Sequence, residues 1–451
     1  KSRTYLAQTA DENGNKKAGF ENELALDIQE NDEEPQLLVD LNPKGPGASL
    51  RAFSPKTSKF CDDPDLLSCQ IADISSDILG KKSILLPGNL ELKFKNKIPG
   101  NDNAYNYEGD GASLIVTYNP ESSAMSGTAN LEDGRTFVLE HIGVEGHIWK
   151  EMDIQKLDQL SLVRNGNRGE AFYVSDAIKL NPGNVNRGEW SNQLPEKTTD
   201  NHTMAYISVK VYFTKKFADV TNNINDFVDK MIAITNQGFL NSKVPITVVK
   251  TCIEEANLEE MDSSLEMLKN FRTLKGTTEN LRQTADTATL LVSSMKDACG
   301  RGYTNQFDGN AISVVKKSCV ETFSYGHELG HNLGCQHNVE QDINENYPYG
   351  HGSFIKNPND PSRGYRTMMS YVKDPNNPKA FPRINSFSNP DVIYPRVNKR
   401  TGDPKTSNNA AVLLRNRFIM ASVGDETQKC FLFKCENNRC SESSDLKIKE
   451  W

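Results

Sequence analysis

Residues 327–337 read His-Glu-Leu-Gly-His-Asn-Leu-Gly-Cys-Gln-His, so three of the seven histidines of the chain fall within eleven positions. In a helix, side chains four residues apart lie on the same face, about one turn from each other. His327 and His331 therefore predict two imidazoles that share one tetrahedral metal ion, and zinc favours such ligands. Glu328 follows the first histidine and is predicted to act as a general base toward a water molecule at that ion.

The third histidine, His337, predicts where this helix ends. In a continuous helix His337 would lie about 15 Å along the axis from His327, whereas zinc–nitrogen bonds measure only about 2.0–2.1 Å. The chain must therefore turn back, and Gly334 can adopt the left-handed conformation that such a bend needs. Three histidine ligands leave the fourth position to water, which is typical of a catalytic zinc site.

The same residues match the pattern H-E-x-x-H-x-x-G-x-x-H, and in this the chain resembles the metzincin zinc metalloendopeptidases. The resemblance implies one zinc ion, protein or peptide substrates, and a methionine turn below the metal. Residues 367–371, Thr-Met-Met-Ser-Tyr, are similar to that turn, with Met369 as its methionine. Tyr371 is similar to a tyrosine that stabilises the transition state in some families of the clan; the alternative is a packed tyrosine below the site.

Within the clan, residues 299–337 resemble the adamalysin group, also called reprolysin-like or ADAM-like. This implies that residues 302–304 form the edge strand that pairs with an extended substrate, with residues 312–315 as its neighbour. Asn338 departs from the group, which usually has Asp after the third histidine. A catalytically silent binding or adhesive protein on the same scaffold is the alternative function, and the intact Glu328 argues against it.

The chain is predicted to contain two folded regions of different class. Short β-like runs separated by turns fill residues 1–180 and predict a mainly β domain, which the resemblance identifies as a pro-domain. Residues 202–425 alternate between strand and helix patterns and predict an α/β metzincin catalytic domain, a mixed twisted sheet with long helices. Residues 181–201 have the composition of a linker, with Arg187 and the following glycine as a processing point. Residues 426–451 form a cysteine-containing tail.

Individual elements follow from hydrophobic periodicity. Alternating or continuous apolar runs predict strands at residues 112–118, 136–140, 204–212, 244–249, 288–292, 302–304 and 312–315. One helical face is predicted over residues 217–232, and a second helix over residues 258–271.

Composition and charge restrict the partners of the chain. The net charge of −8, with acids and bases interleaved, excludes nucleic acid as the expected partner. No apolar stretch approaches the roughly 18 residues that a membrane helix needs. Nine cysteines without a C-x-x-C pair indicate disulfides and a secreted, extracellular protein. Asn201 begins the sequon Asn-His-Thr and is the predicted glycosylation site.

The N-terminal domain is expected to hold the enzyme latent as an intramolecular inhibitor, because pro-regions of related proteases block the zinc with a cysteine or an aspartate. Cys61 or Cys69 would supply the thiolate, but a disulfide between these two is the favoured alternative. Asp110 resembles the aspartate of the astacin pro-region and is a third candidate. Cys319 and Cys335 flank the active-site helix and are candidates for a disulfide.

Overall fold

The computed structural model describes residues 34–41, 59–160, 175–178 and 202–424, apart from 110, 305–306, 308–309, 342–346 and 372–380. It also describes isolated backbone strands near both termini and between residues 162 and 173. The predicted linker at residues 181–201, with Arg187 and Asn201, lies outside the described residues, as does Asp110. Within the described part, no helix is long and apolar enough to cross a membrane.

The N-terminal region is dominated by a ten-stranded sheet. Two short strands, β1 (Thr9–Ala10) and β2 (Lys16–Lys17), pair with each other ahead of it. Its strands are β3 (Gln36–Leu37), β4 (Val39–Asp40), β5 (Leu66–Ile74), β6 (Ser83–Leu86), β7 (Leu90–Lys97), β8 (Ala104–Gly109), β9 (Ala112–Asn119), β10 (Ala124–Leu131), β11 (Thr136–His141) and β12 (His147–Met152). Their order in the sheet is β3-β6-β7-β8-β9-β10-β11-β12-β5-β4.

This sheet closes on itself through residues 36–40. β3 pairs with β6 at one end of the order, and β4 pairs with β5 at the other, with only Leu38 between the two short strands. Closure leaves few unpaired backbone groups at the ends of the sheet. Tight turns connect the long strands, for example at Gly134, whose φ of +84° is a conformation that favours glycine.

A six-stranded mixed sheet forms the centre of the second region. After a short helix, α1 (Ile154–Asp158), come the paired strands β13 (Leu162–Arg164) and β14 (Ala171–Tyr173). The sheet itself contains β15 (Ala177–Ile178), β16 (Ala205–Thr214), β17 (Ile246–Ala256), β18 (Thr287–Val292), β19 (Gly300–Tyr303) and β20 (Ile312–Lys316). The order is β15-β19-β20-β18-β16-β17, and only β19 and β20 pair antiparallel.

Helices and short hairpins surround this sheet. The helices are α2 (Lys215–Asp219), α3 (Ile224–Asn241), α4 (Ser264–Thr273), α5 (Thr278–Arg282), α6 (Ser324–Asn332) and α7 (Asn409–Ala421). The hairpins pair β21 (Phe354–Lys356) with β22 (Gly364–Arg366), β23 (Ile393–Tyr394) with β24 (Lys399–Arg400), and β25 (Phe433–Glu436) with β26 (Arg439–Glu442). Short 3-10 helices occur at Ser76–Ile78, Gly143–Glu145 and Lys317–Thr322.

Two of the predicted helices need correction: one is divided into two helices and the other begins later. The single face predicted over residues 217–232 is divided between α2 and α3, because the Asn223 side chain accepts a hydrogen bond from Asp226 N at 3.3 Å and begins a new helix. The helix predicted from residue 258 begins only at Ser264, where the Ser263 side chain caps it. In both cases a short polar side chain, which apolar periodicity does not register, sets the boundary.

Helix α3 lies between the two sheets and connects their cores. It packs on β17 of the second region and on β9 of the first. Polar side chains fix this arrangement: Asn119 donates to Asp226 at 3.0 Å, and Asn236 donates to the carbonyl of Pro99 at 2.9 Å.

Buried charges add a second contact between the N-terminal region and residues 316–317 at the end of β20. Glu140 on β11 forms ion pairs with Lys150 and, at 3.2 Å, with Lys317. Asp65 pairs with Lys316 at 2.5 Å. Burial opposes the ionisation of Glu140, but the two lysines outweigh it and hold the pKa of this carboxyl well below its usual range.

We expect Glu140→Gln to lower the free energy of unfolding at pH 7 by about 3–5 kcal/mol, because it leaves two buried ammonium groups without their carboxylate. The depressed pKa of Glu140 implies stability that is present above the unfolded value of about 4.3 and is lost as pH falls below it. The difference between wild type and variant should therefore shrink from pH 7 to pH 3.5 in urea unfolding curves.

A matched control is Asp262→Asn, which breaks the exposed ion pair with Lys296. That change should cost no more than about 1 kcal/mol. Equal losses for the two variants, or a Glu140 effect that does not depend on pH, would contradict the assigned role of the buried pair.

Candidate metal centre

Helix α6 and the turn after it bring the three predicted histidines together. The helix ends at Asn332, and Gly334 has a φ of +100°, so the chain reverses direction before His337. The Nε2 atoms of His331 and His327 are 3.1 Å apart, those of His331 and His337 3.0 Å, and those of His327 and His337 3.3 Å. All three side chains are buried.

The other ring nitrogens of two histidines contact carbonyl oxygens. His327 Nδ1 lies 2.9 Å from the carbonyl of Met368, and His331 Nδ1 lies 2.9 Å from that of Cys335. A carbonyl can only accept, so each Nδ1 carries the proton and each neutral ring presents a lone pair at Nε2. Burial lowers the pKa of His327 to about 3, which favours this neutral form.

A fourth ligand atom comes from the N-terminal side of the chain. Asp176 Oδ1 lies 2.8 Å from His337 Nε2, 3.3 Å from His331 Nε2 and 3.5 Å from His327 Nε2. No sequence pattern points to Asp176, because it is an isolated aspartate 155 residues from His331.

The four atoms fit a tetrahedral cation. Bonds of about 2.0–2.1 Å at tetrahedral angles place ligand atoms about 3.3–3.4 Å apart, and the separations here are 2.8–3.5 Å. Lone pairs of neutral imidazoles repel one another at such distances unless a positive charge lies between them. The residues His327, His331, His337 and Asp176 therefore could hold a metal ion.

Glu328 lies beside the cluster in a space that two glycines keep open. A Cβ atom at Gly300 would lie 2.5 Å from Glu328 Oε1, and one at Gly302 would lie 3.0 Å from Oε2. Among the described residues, the buried Oε2 atom has no hydrogen-bond partner. Burial, together with the nearby Asp176 carboxylate, raises the pKa of Glu328 well above its ordinary value.

The predicted methionine turn packs against the far side of α6. A side-chain carbon at Gly330 would lie 2.7 Å from the Sδ atom of Met369, so the glycine lets the helix approach the turn closely. The Tyr371 ring stacks on His337 with centroids 4.1 Å apart, and its hydroxyl accepts a hydrogen bond from Asp176 N at 3.0 Å. Asn338 accepts from Tyr371 N at 3.1 Å. The catalytic roles of Met369 and Tyr371 stay predictions.

His351 lies outside the cluster, as a loop histidine. Its Nδ1 atom lies 2.9 Å from the carbonyl oxygen of His337 and donates to it. It therefore supports the backbone of the third histidine and contributes no atom to the four-atom cluster.

The edge strand beside the site is covered by the N-terminal part of the chain. β15 pairs parallel with β19, with Ala177 opposite Gly302 and Ile178 opposite Tyr303. Backbone bonds run from Gly302 N to Asp176 O at 3.2 Å and from Thr304 N to Ile178 O at 2.9 Å. The residues predicted to pair with an extended substrate are thus already paired.

The disulfides confirm one predicted pairing of cysteines and contradict another. Cys61 and Cys69 form a disulfide, so neither offers a thiolate to the metal centre. Cys319 pairs with Cys299, and not with Cys335 as the sequence had suggested. Cys335 is a free buried thiol, whose backbone carbonyl faces His331. It follows Gly334 in the tight bend, where its side chain points into the core.

Comparison with known proteins relates this geometry to a family. A reprolysin-type family model, described as metallo-peptidase family M12, matches residues 203–388. A peptidyl-Asp metalloendopeptidase of Stenotrophomonas maltophilia strain K279a is 28% identical over 211 residues, covering 44% of this chain and 48% of that protein. One of Xanthomonas campestris pv. campestris is 27% identical over 298 residues, covering 64% of this chain and 65% of that protein.

The chain thus spans about half to two thirds of the length of these two relatives. Among solved structures, metalloproteinase-II from Bacteroides fragilis aligns over 67% of this chain and 86% of its own, with 14% identity and a TM-score of 0.38. So low a score carries no weight beside the sequence matches. The family match includes all three histidines, Glu328 and Met369, and residues 203–388 are thus similar in sequence to the reprolysin-like zinc metallopeptidases of family M12.

Proposed function

We propose that this chain is a secreted zinc-dependent metalloendopeptidase and that it is latent while its N-terminal region remains attached. The observation that carries the proposal is the convergence of three histidine Nε2 atoms within 3.3 Å of one another. Glu328, next in sequence to His327, adds a buried carboxylate at the same place. Three neutral nitrogen ligands with one further position are typical of catalytic zinc.

Zinc held by His327, His331 and His337 would act as a Lewis acid toward the peptide carbonyl and would make water more acidic. Glu328 accepts a proton from the attacking water and then delivers it to the leaving amine nitrogen. Gly300 and Gly302, which lack a Cβ atom, leave the space that this carboxylate occupies. Once Asp176 has left, the Tyr371 hydroxyl loses its contact with that residue and can donate a hydrogen bond to the substrate oxygen that gains negative charge.

The substrates are proposed to be proteins or peptides that bind in extended form along β19. This strand lies at the edge of the sheet once β15 is removed, so its backbone groups can pair with a substrate backbone. Since the curated relatives are named peptidyl-Asp metalloendopeptidases, we extend to this chain a preference for cleavage next to aspartate.

Latency is proposed to come from Asp176 and the short strand that follows it. The carboxylate takes the fourth position of the metal centre, and β15 takes the place of substrate on β19. This explanation replaces the candidates Cys61 and Cys69, which are bonded to each other. The two described disulfides support an oxidising compartment and thus export.

We expect Glu328→Gln to lower casein hydrolysis by about 10²–10⁴-fold, the usual contribution of a general base. The assay uses protein cleaved at Arg187, and zinc is measured in the same samples, because the variant should bind zinc as the wild type does. Glu279→Gln, an exposed glutamate on α5, is the matched control and should retain full activity. Near-normal hydrolysis by the zinc-loaded Glu328 variant would overturn the proposed mechanism. Absence of hydrolysis in every sample, including the wild type, would favour the alternative of a catalytically silent binding protein.

Replacing Asp176 tests latency in the uncleaved chain. We expect Asp176→Ala to raise the initial rate of casein hydrolysis at least about tenfold, the factor that corresponds to about 1.4 kcal/mol of lost interaction. The exposed Asp77 of the same N-terminal region serves as the control when changed to alanine. An uncleaved wild type as active as the Asp176 variant would show that the carboxylate does not restrain the site.

A further inference from the structure

A buried arginine beside the metal centre holds a second aspartate of the N-terminal region. Arg366 at the end of β22 is 1% exposed. Its Nε donates to the carbonyl of Phe381 at 3.0 Å and its Nη1 to that of Ser370 at 2.8 Å. Its Nη2 donates to Asp158 Oδ1 at 2.5 Å, and Asp158 is the last residue of α1. The two carbonyl groups thus fix the Arg366 guanidinium, whose remaining edge faces the Asp158 carboxylate.

The ion pair of Arg366 and Asp158 lies next to the candidate metal centre. One small cavity is lined by Asp158, Asp176, His327, Glu328, Arg366 and Arg383. A group that occupies the place of the Asp158 carboxylate is therefore next to the groups that would react. α1 reaches this place because Leu157 packs against the disulfide of Cys299 and Cys319.

Arg383 adds a second positive charge to the same cavity. Its Nη1 donates to the carbonyl of Thr322 at 3.1 Å, and its Nη2 lies 3.4 Å from that of Ser370. Its buried Nε has no hydrogen-bond partner among the described residues. Burial and the neighbouring Arg366 lower the pKa of Arg383 to about 10, so that it stays charged at neutral pH.

Two guanidinium groups in one desolvated cavity are costly without an anion. Removal of one partner from a buried ion pair leaves an uncompensated charge, which costs several kcal/mol. When the N-terminal region leaves, Asp158 leaves with it, and the two cations face the cleft. A carboxylate with planar geometry can accept two hydrogen bonds from an arginine, so an acidic side chain of a substrate would restore the lost pairing.

We propose that Arg366 and Arg383 form the pocket that selects an acidic side chain beside the scissile bond, and that Asp158 occupies this pocket in the latent form. The inference rests on the proposed peptidase function and names the residues behind its preference for aspartate. The N-terminal region then blocks the site with two carboxylates, Asp176 at the metal and Asp158 in the specificity pocket. Arg366 and Arg383 are specificity residues and take no part in proton transfer.

The test measures kcat/KM for quenched fluorescent peptides that differ only by Asp or Asn next to the cleaved bond. The full chain is used after cleavage at Arg187, with both fragments present. The wild type should prefer the Asp peptide by about tenfold or more, since hydrogen bonds to a charged acceptor are roughly twice as strong as neutral ones. Arg383→Gln and Arg366→Lys should each reduce that preference severalfold, because kcat/KM falls more for the Asp peptide than for the Asn peptide.

The exposed Arg363 provides the control, because Arg363→Gln alters charge in the same segment without touching the cavity. Zinc content and circular dichroism show whether each variant is folded. If Arg366→Lys does not fold, Arg383→Gln alone still tests the pocket. Equal rates on both peptides in the wild type, or an unchanged preference in folded variants, would overturn the pocket but not the peptidase. Absence of hydrolysis of any peptide would overturn both.

A second measurement addresses the role of Asp158 directly. In the cleaved but unseparated protein, Asp158→Asn should weaken inhibition by the N-terminal fragment by about tenfold, since the variant lacks the carboxylate that pairs with Arg366. Asp77→Asn should leave inhibition unchanged. Inhibition by the Asp158 variant equal to that of the wild type would show that this aspartate does not occupy the pocket.

Discussion

Three imidazole nitrogens converge within 3.3 Å in a space closed to water, and this arrangement constrains the residues around it. Each ring must present a lone pair, so Nδ1 of His327 and His331 needs a carbonyl acceptor, and the methionine turn and Cys335 supply these. The helix must end within one turn of His331, which Gly334 permits. Gly326 and Gly330 let the same helix approach the two methionines of the turn closely.

The N-terminal region is complementary to this site in charge as well as in shape. Positive charge accumulates around the centre through Arg366 and Arg383, and a metal ion would increase it further. Asp176 and Asp158 bring one carboxylate to each of the two places that attract an anion. Both aspartates are held by secondary structure that docks on the second region, β15 on the edge strand and α1 on the disulfide of Cys299 and Cys319.

The zinc motif could be interpreted from sequence because its information is local: four of its residues lie within eleven positions, and helical geometry relates them. The strands of both sheets were also foreseen in outline, since apolar alternation marks residues such as 112–118 and 204–212. Asp176 and Asp158 could not be found in this way. Their partners lie 155 and 208 residues away, and an isolated aspartate has no pattern that distinguishes it from a solvated one. The pairing of Cys319 with Cys299 was missed for the same reason, because proximity in sequence to Cys335 gives no information about distance across the fold.

The covalent connection between β15 and the domain it covers has a kinetic meaning of its own. Under the proposed latency, β15 is tethered to the strand it covers through the predicted linker at residues 181–201, so dilution does not lower its effective concentration. A single cut converts the same contacts into an association between two molecules, whose strength then depends on how much protein surrounds them. A cut in this connection would thus convert inhibition from an intramolecular into an intermolecular process without altering any contact in the site. Under the proposed latency, cleavage would therefore make the enzyme sensitive to dilution, and dilution of the cleaved protein would complete its release.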